Sequence, residues 1–274
     1  MSTATIRLPG IEVKVYNDAI QVSKPLGAKP GEEKELRIGI KKVIDKFSRK
    51  TKRSILLWFA VYGNMLDREI TLTYPEDYPK DIRKAQKDLE SILRWLERKG
   101  VKTYIWFKEY QERGAVHFHI LIDSIFIPHE ELSLQWSKRI KSLDPSAGTS
   151  IRKIRDKTKM RTYVTKYFGK EEQKTVPEGV TGHGRWWGSN KKISTTDHFV
   201  IEYETRKDLS QVYRVVDNYY GNLLKRWSTI TRRKYKRTRK RTGFTVFEDG
   251  SKVEKVILRM LTEHPATNVR FIDS

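Results

Sequence analysis

Two histidines separated by one residue are the first candidates for chemistry. His117-Phe-His119 lies in the run Val116-His-Phe-His-Ile-Leu-Ile-Asp123, whose β-branched and aromatic residues predict a strand. Strand side chains alternate between faces. Both imidazoles therefore point one way, while Phe118, Ile120 and Ile122 point the other way, toward a core. Two neutral imidazoles on one face can ligate a divalent cation. The run from Val101 to Glu109 predicts a neighbouring strand. Glu112-Arg-Gly114 between them suits a three-residue hairpin loop, whose last residue takes a left-handed conformation that glycine adopts freely. Closing that loop pairs Gln111 with Ala115 and sets Glu109 opposite His117. Ile105, Phe107 and Glu109 then share the histidine face, and a carboxylate meets two imidazoles. His117, His119 and Glu109 are the candidate metal ligands, with positions left open for water and a phosphate oxygen. The chain has no cysteine, so Mg2+ or Mn2+ is the expected ion. Glu112 is a competing ligand, less favoured because it belongs to the turn. Two histidines alone are also what an ordinary half-exposed sheet face can carry.

A second constellation is Tyr163-Val-Thr-Lys166-Tyr167, on a helix expected over about 157–170. Positions i, i+3 and i+4 share a helical face, so two phenols and an ammonium line one surface. A phenol, with a pKa near 10, is a weak nucleophile until a cation favours its phenolate. Lys166 can supply that charge, or stabilise a phosphate in its transition state. Half-buried packing is the competing reading of the two tyrosines. A third feature is electrostatic. Residues 225–241 hold ten Lys or Arg and no acid, with Trp227 and Tyr235 among them. Lys225, Arg226, Arg232, Arg233, Lys234, Lys236 and Arg237 are the candidate DNA contacts; a solvated basic segment is the plainer alternative.

The elements that must position these residues are regular through the middle of the chain. Ile70-Thr-Leu-Thr-Tyr74 predicts a strand closed by Pro75 and Pro79. Thr71 and Thr73 on it are candidates to support the metal site or contact phosphate, or are plain sheet. A helix over about 81–99 carries Ile82, Ala85, Leu89, Ile92, Leu93 and Leu96 at helical spacing, and Gly100 suits its C-terminal cap. A further helix opens at Pro128, with Leu132, Trp136, Ile140 and Leu143 on one face. Thr149 to Arg155 predicts a fourth strand. The order βαββαβ, then a helix, is the ferredoxin-like split-βαβ pattern: α+β, with a mostly antiparallel sheet and helices on one face. An N-terminal helix with Ser48 or Thr51 as its cap is expected to stop near Gly63. Three regions follow: a 1–45 extension, a 46–175 nuclease domain, and a basic 176–274 region expected to contact DNA. In the extensions, Ile11 to Tyr16 and Phe199 to Thr205 alternate like strands, residues 25–32 read as a loop, and Gly179 to Gly188 as a loop or lid. Trp186 and Trp187 there suit either base stacking or core packing.

Composition narrows the partners. Lys and Arg number 56 against 34 acids, a net charge of +22. Such charge attracts polyanions and releases their counterions. With 7 Trp and 13 Tyr available to stack on bases, nucleic acid is preferred over acidic lipid. The absence of cysteine excludes disulfides, thiolate metal sites and thiol nucleophiles. No apolar run approaches the ~18 residues of a membrane span, and no signal peptide opens the chain, so no membrane partner and a cytoplasmic location in a prokaryotic host are expected.

Taken in order, the 70–74 strand, Glu109 with His117-Phe-His119, and Tyr163-Val-Thr-Lys166-Tyr167 resemble the HUH endonuclease superfamily. The resemblance covers roughly residues 48–170. Within that superfamily the order is similar to the rolling-circle replication initiators of plasmids and single-stranded DNA phages. The tyrosine pair resembles the two-tyrosine phage type, and Glu109 stands where those proteins carry their carboxylate ligand. Gly184-Arg-Trp-Trp-Gly188 resembles a segment found after the tyrosine helix in related initiators. The resemblance implies nicking and rejoining of one DNA strand at an origin, at a single-stranded or hairpin site. Tyr163 would be the first nucleophile, forming a 5′-phosphotyrosine and a free 3′-hydroxyl, and Tyr167 a second nucleophile or a structural residue. No phosphate loop of the Gly-x-x-x-x-Gly-Lys type is present, so a host helicase is expected beside the host polymerase. A relaxase or single-strand transposase of the same superfamily is an alternative. So is a basic DNA-binding protein without catalysis.

Overall fold

The computed structural model describes residues 12–16, 18–23, 47–144, 148–155, 164, 176–182, 184–193, 199–202, 214, 218, 243–247, 250–263 and 268–271. The chain divides into two units, one made of Met1–Ile38 with Ile193–Ser274 and the other of Gly39–Lys192.

In the second unit the chemistry-bearing hairpin is built from β4 (Tyr104–Tyr110) and β5 (Val116–Asp123). The Gln111 amide donates to the Ala115 carbonyl, and Gly114 takes φ +84°, as a three-residue loop requires. The register follows from that closure: Glu109 opposes His117, and Phe107 opposes His119. On the other side of β5 runs β3 (Leu66–Thr73), which sets Thr73 opposite His117 and Thr71 opposite His119. With β6 (Thr149–Lys153) and β7 (Trp187–Ser189), the antiparallel sheet has the order β6-β3-β5-β4-β7. β3 starts four residues before the expected strand and makes a bulge near its beginning, between Leu66 and Arg68. The 184–188 stretch is not a free lid. Trp187 and Gly188 lie in an edge strand, paired with Phe107 and Trp106.

The helices occupy both faces of this sheet. α2 (Ile82–Arg98) is capped by Asp81, whose carboxylate accepts from the Arg83 amide, and ends before Gly100 at φ +99°. α3 (His129–Ile140) follows Pro128. Both pack on the face carrying Leu72, Tyr74 and Phe118. There Tyr74 donates to the buried Asp88 of α2 at 2.8 Å, and Arg139 of α3 donates to the same carboxylate at 2.9 Å. Burial, and then the Asp88 charge, push the Tyr74 phenol well above its ordinary pKa, so it stays a donor. α3 stops at Ile140 because Lys141 turns left-handed (φ +60°), which leaves Leu143 exposed rather than on the apolar face. α1 (Arg49–Tyr62), capped by the Ser48 hydroxyl, departs from the one-sided expectation. Its Phe59 ring stacks on Phe107, 6.5 Å between centres, on the histidine side of the sheet. Trp58 and Tyr62 donate to the carbonyls of Lys191 and Lys192, just beyond β7.

The first unit is a second antiparallel sheet. β1 (Glu12–Tyr16) and β2 (Ala19–Ser23) from the N-terminal region join β8 (Phe199–Glu202), β9 (Gly243–Phe247) and β10 (Asn268–Phe271), in the order β10-β8-β1-β2-β9. Regions read separately from the sequence thus share one sheet. α4 (Gly250–Glu263) buries Val253, Val256, Ile257 and Met260 at helical spacing. No helix among the described residues is long and apolar enough to cross a membrane.

Candidate functional site

His117 and His119 project from the same face of β5 with their rings 4.5 Å apart and nearly perpendicular. Each ring is held from β3. The Thr73 hydroxyl lies 2.5 Å from His117 Nδ1, and a Glu69 carboxylate oxygen lies 3.0 Å from His119 Nδ1. Thr73 reaches straight across its register pair. Glu69 reaches diagonally, because it pairs with Leu121, two residues beyond His119. From β4, Glu109 brings an oxygen to 3.4 Å from His119 Nε2. The side chains of His119, Glu69 and Glu109 are 14%, 19% and 5% exposed, so these charges sit largely out of water. Burial by itself would lower the His119 pKa; the hydrogen bonds and charges of Glu109 and Glu69 outweigh it and raise it overall.

β3 is fixed where it meets His117. The Trp136 indole donates to the Thr73 carbonyl at 2.7 Å, and the Thr73 amide donates to the Gly148 carbonyl at 2.7 Å. The Arg113 guanidinium, from the β4–β5 turn, donates to the carbonyls of Tyr74 and Glu76. The hairpin and β3 are therefore tied together beside the histidines. Glu112, in the same turn, is exposed.

The sheet brings His117, His119, Glu109, Thr71 and Thr73 to one face. Among the described residues, no group of three or more His, Asp or Glu side chains is disposed to hold a metal ion as it stands. The hydrogen bonds explain this: both His119 nitrogens face carboxylates, and His117 Nδ1 faces Thr73. Tyr163, Lys166 and Tyr167 lie outside the described residues. So do Lys225, Arg226, Arg232, Arg233, Lys234, Lys236 and Arg237, with Trp227 and Tyr235, and the 25–32 loop. Val164, next to Tyr163, is helical and fully buried. The tryptophans of the 184–188 stretch part ways. Trp186 is buried, its ring edge-on to Tyr110. Trp187 is half-buried and lies in the same cross-strand row as Phe107 and His119. Glu69 escapes a reading that starts the strand at Ile70. Carrying the alternation of Thr73 and Thr71 back one more step would have placed it on the histidine face.

Residues 67–172 match the family model described as Replication-associated protein ORF2. The matched span takes in nearly all of β3 and the whole histidine hairpin. It supports a replication-initiator role and, with it, DNA binding. No curated protein and no solved structure matches the chain.

Proposed function

We propose that this protein nicks and rejoins one DNA strand at a replication origin, using a tyrosine nucleophile assisted by a divalent metal. The observation that carries the reading is the register that sets Glu109 opposite His117 and beside His119, within the span matched to the replication family. Two imidazoles and a carboxylate suit Mg2+ or Mn2+ in their donor chemistry. The separation of 3.4 Å between His119 Nε2 and Glu109 is near the ~3 Å expected for two donors at right angles on an ion with bonds of about 2.1 Å. An ion bound by His117, His119 and Glu109 would polarise the scissile phosphate and offset charge on its oxygens.

The covalent work belongs to the chain. The Tyr163 oxygen attacks phosphorus, the bond to the 3′-oxygen breaks, and a 5′-phosphotyrosine and a free 3′-hydroxyl result. The phenol proton leaves to solvent or a nearby base, and Lys166 stabilises the phenolate and the phosphate charge. Attack by a 3′-hydroxyl on the phosphotyrosine reverses the step and reseals the strand. Tyr167 would serve a second transfer. Because the phosphodiester is exchanged rather than hydrolysed, no nucleotide is consumed. The freed 3′-end would prime a host polymerase, and unwinding would fall to a host helicase.

The test is nicking of supercoiled plasmid carrying the DNA that flanks the protein's own reading frame, with Mn2+ or Mg2+. Wild type should give open circles with protein attached to the 5′-end. His119→Ala should abolish nicking, and Tyr163→Phe should reduce it at least a hundredfold. Full nicking by Tyr163→Phe would move the role to Tyr167. Nicking by the Tyr163→Phe, Tyr167→Phe double variant would overturn the tyrosine mechanism.

A further inference from the structure

His119 is flanked by two carboxylates, one on each ring nitrogen. Glu69 stands 3.0 Å from Nδ1, and Glu109 stands 3.4 Å from Nε2. An ionised carboxylate can only accept, and a neutral imidazole has a single N–H to give. One nitrogen can therefore satisfy one carboxylate, and the other would then turn a lone pair toward a second acceptor. A cation placed between that nitrogen and its carboxylate removes the conflict. The two sides are not equivalent. Glu109 comes from β4, where it stands directly opposite His117, and it is buried. Glu69 reaches diagonally from β3, the strand that also supplies Thr73 to His117 Nδ1. β3 thus addresses Nδ1 of both histidines, which leaves both Nε2 atoms for a common ligand.

We propose that Glu69 is a positioning residue: its carboxylate accepts the Nδ1–H of His119, fixes that tautomer, and presents the Nε2 lone pair beside Glu109 for a divalent cation. The proposal rests on the metal-site reading above and adds a residue to it. Glu69 does not touch the ion. It orients the ring and raises the basicity of Nε2, as an acceptor behind a metal-bound histidine does. Thr73 has the parallel place behind His117, but its hydroxyl can give or accept and so does not choose a tautomer.

The test uses the full chain, Mn2+ alone as the probe, and no DNA. Calorimetric or EPR titration should show a site in wild type that His119→Ala loses. Glu69→Ala should weaken that site about 10- to 100-fold. Glu69→Gln keeps a carbonyl oxygen as acceptor and should recover most of the affinity. Long-range 15N–1H correlation on the metal-free protein should find His119 protonated at Nδ1 in wild type and Glu69→Gln, and a tautomer mixture in Glu69→Ala. If Glu69→Ala binds Mn2+ as wild type does, or leaves the tautomer unchanged, the positioning role fails while the metal reading survives. If wild type binds Mn2+ no better than His119→Ala, both fail. Should Glu69→Ala not fold, Glu69→Gln against wild type decides: a tenfold loss with Nδ1 still protonated would overturn the proposal.

Discussion

Lys108 offers a measurable test of the packing behind the site. It precedes Glu109 on β4 and so faces the opposite side of the sheet, where it is 3% exposed. Its ammonium lies 4.4 Å from the centre of the Trp186 ring and 5.5 Å from that of Tyr110. Burial lowers its pKa from 10.5 to about 8. Below about pH 8 the amine is protonated in both folded and unfolded chains, and the folded state bears the full desolvation cost. Between about 8 and 10.5 the unfolded chain holds more proton, so this contribution to stability rises with pH and the cost is relieved. The gap is equivalent to about 3 kcal/mol. Attraction to the ring faces returns about 1 kcal/mol, leaving a net cost of about 2 kcal/mol at neutral pH. Lys108→Met keeps the apolar stem without the charge. It should stabilise the protein by about that amount at pH 7 and raise Tm by roughly 4–8 °C. The difference between variant and wild type should shrink toward zero as pH approaches 10.5. Thermal unfolding by circular dichroism across that range measures both. A variant less stable at pH 7, or an offset that does not change with pH, would refute the account of Lys108 as a buried, poorly solvated cation.

Two further substitutions probe the parts that hold the site. Gly148 sits at φ +83°, and a Cβ there would run into the Thr73 carbonyl. Gly148→Ala should cost about 1–2 kcal/mol from backbone conformation alone, and more from the displaced strand. Urea unfolding and the His117 ring resonances should both change, and unchanged values for both would mean that the clamp on Thr73 is not needed. Trp187 presents a half-buried ring in the row of Phe107 and His119. Trp187→Ala should weaken binding of a single-stranded oligonucleotide about fivefold or more, the effect of losing one stacked base. Equal affinity by fluorescence anisotropy, in a variant that stays folded, would remove Trp187 from the DNA surface.

The parts of this fold that local rules control are the parts legible in the sequence. The β4–β5 hairpin follows from one glycine at a loop position, and closing that loop fixes the register without any long-range information. α2 follows from its apolar spacing and its terminal glycine. What escapes depends on partners distant along the chain. Nothing near Trp187 says that residues 187–189 will extend the sheet beside β4, since an edge strand of three residues has no periodicity of its own. The placement of Phe59 of α1 against Phe107 is equally silent, because a helix with an apolar stripe fits either face of a sheet. β1 and β2 alternate locally, but their pairing with β8 and β9 spans most of the chain.

The site divides along the same line. Alternation along β5 and one hairpin closure suffice to bring His117, His119 and Glu109 together. The residues that orient the rings lie on β3, more than forty positions earlier in the chain, and only the β3–β5 register links them. Lys108 shows the converse failure. Its position in the alternation points it into the core, yet a lysine at a core position reads from sequence as an irregularity rather than as a buried charge under aromatic rings. Local pattern thus finds the groups that can do the chemistry. The groups that give them tautomer, orientation and rigidity come from the neighbouring strand, and that is why substitutions at Glu69 and Gly148 test this site more searchingly than substitutions at the histidines themselves.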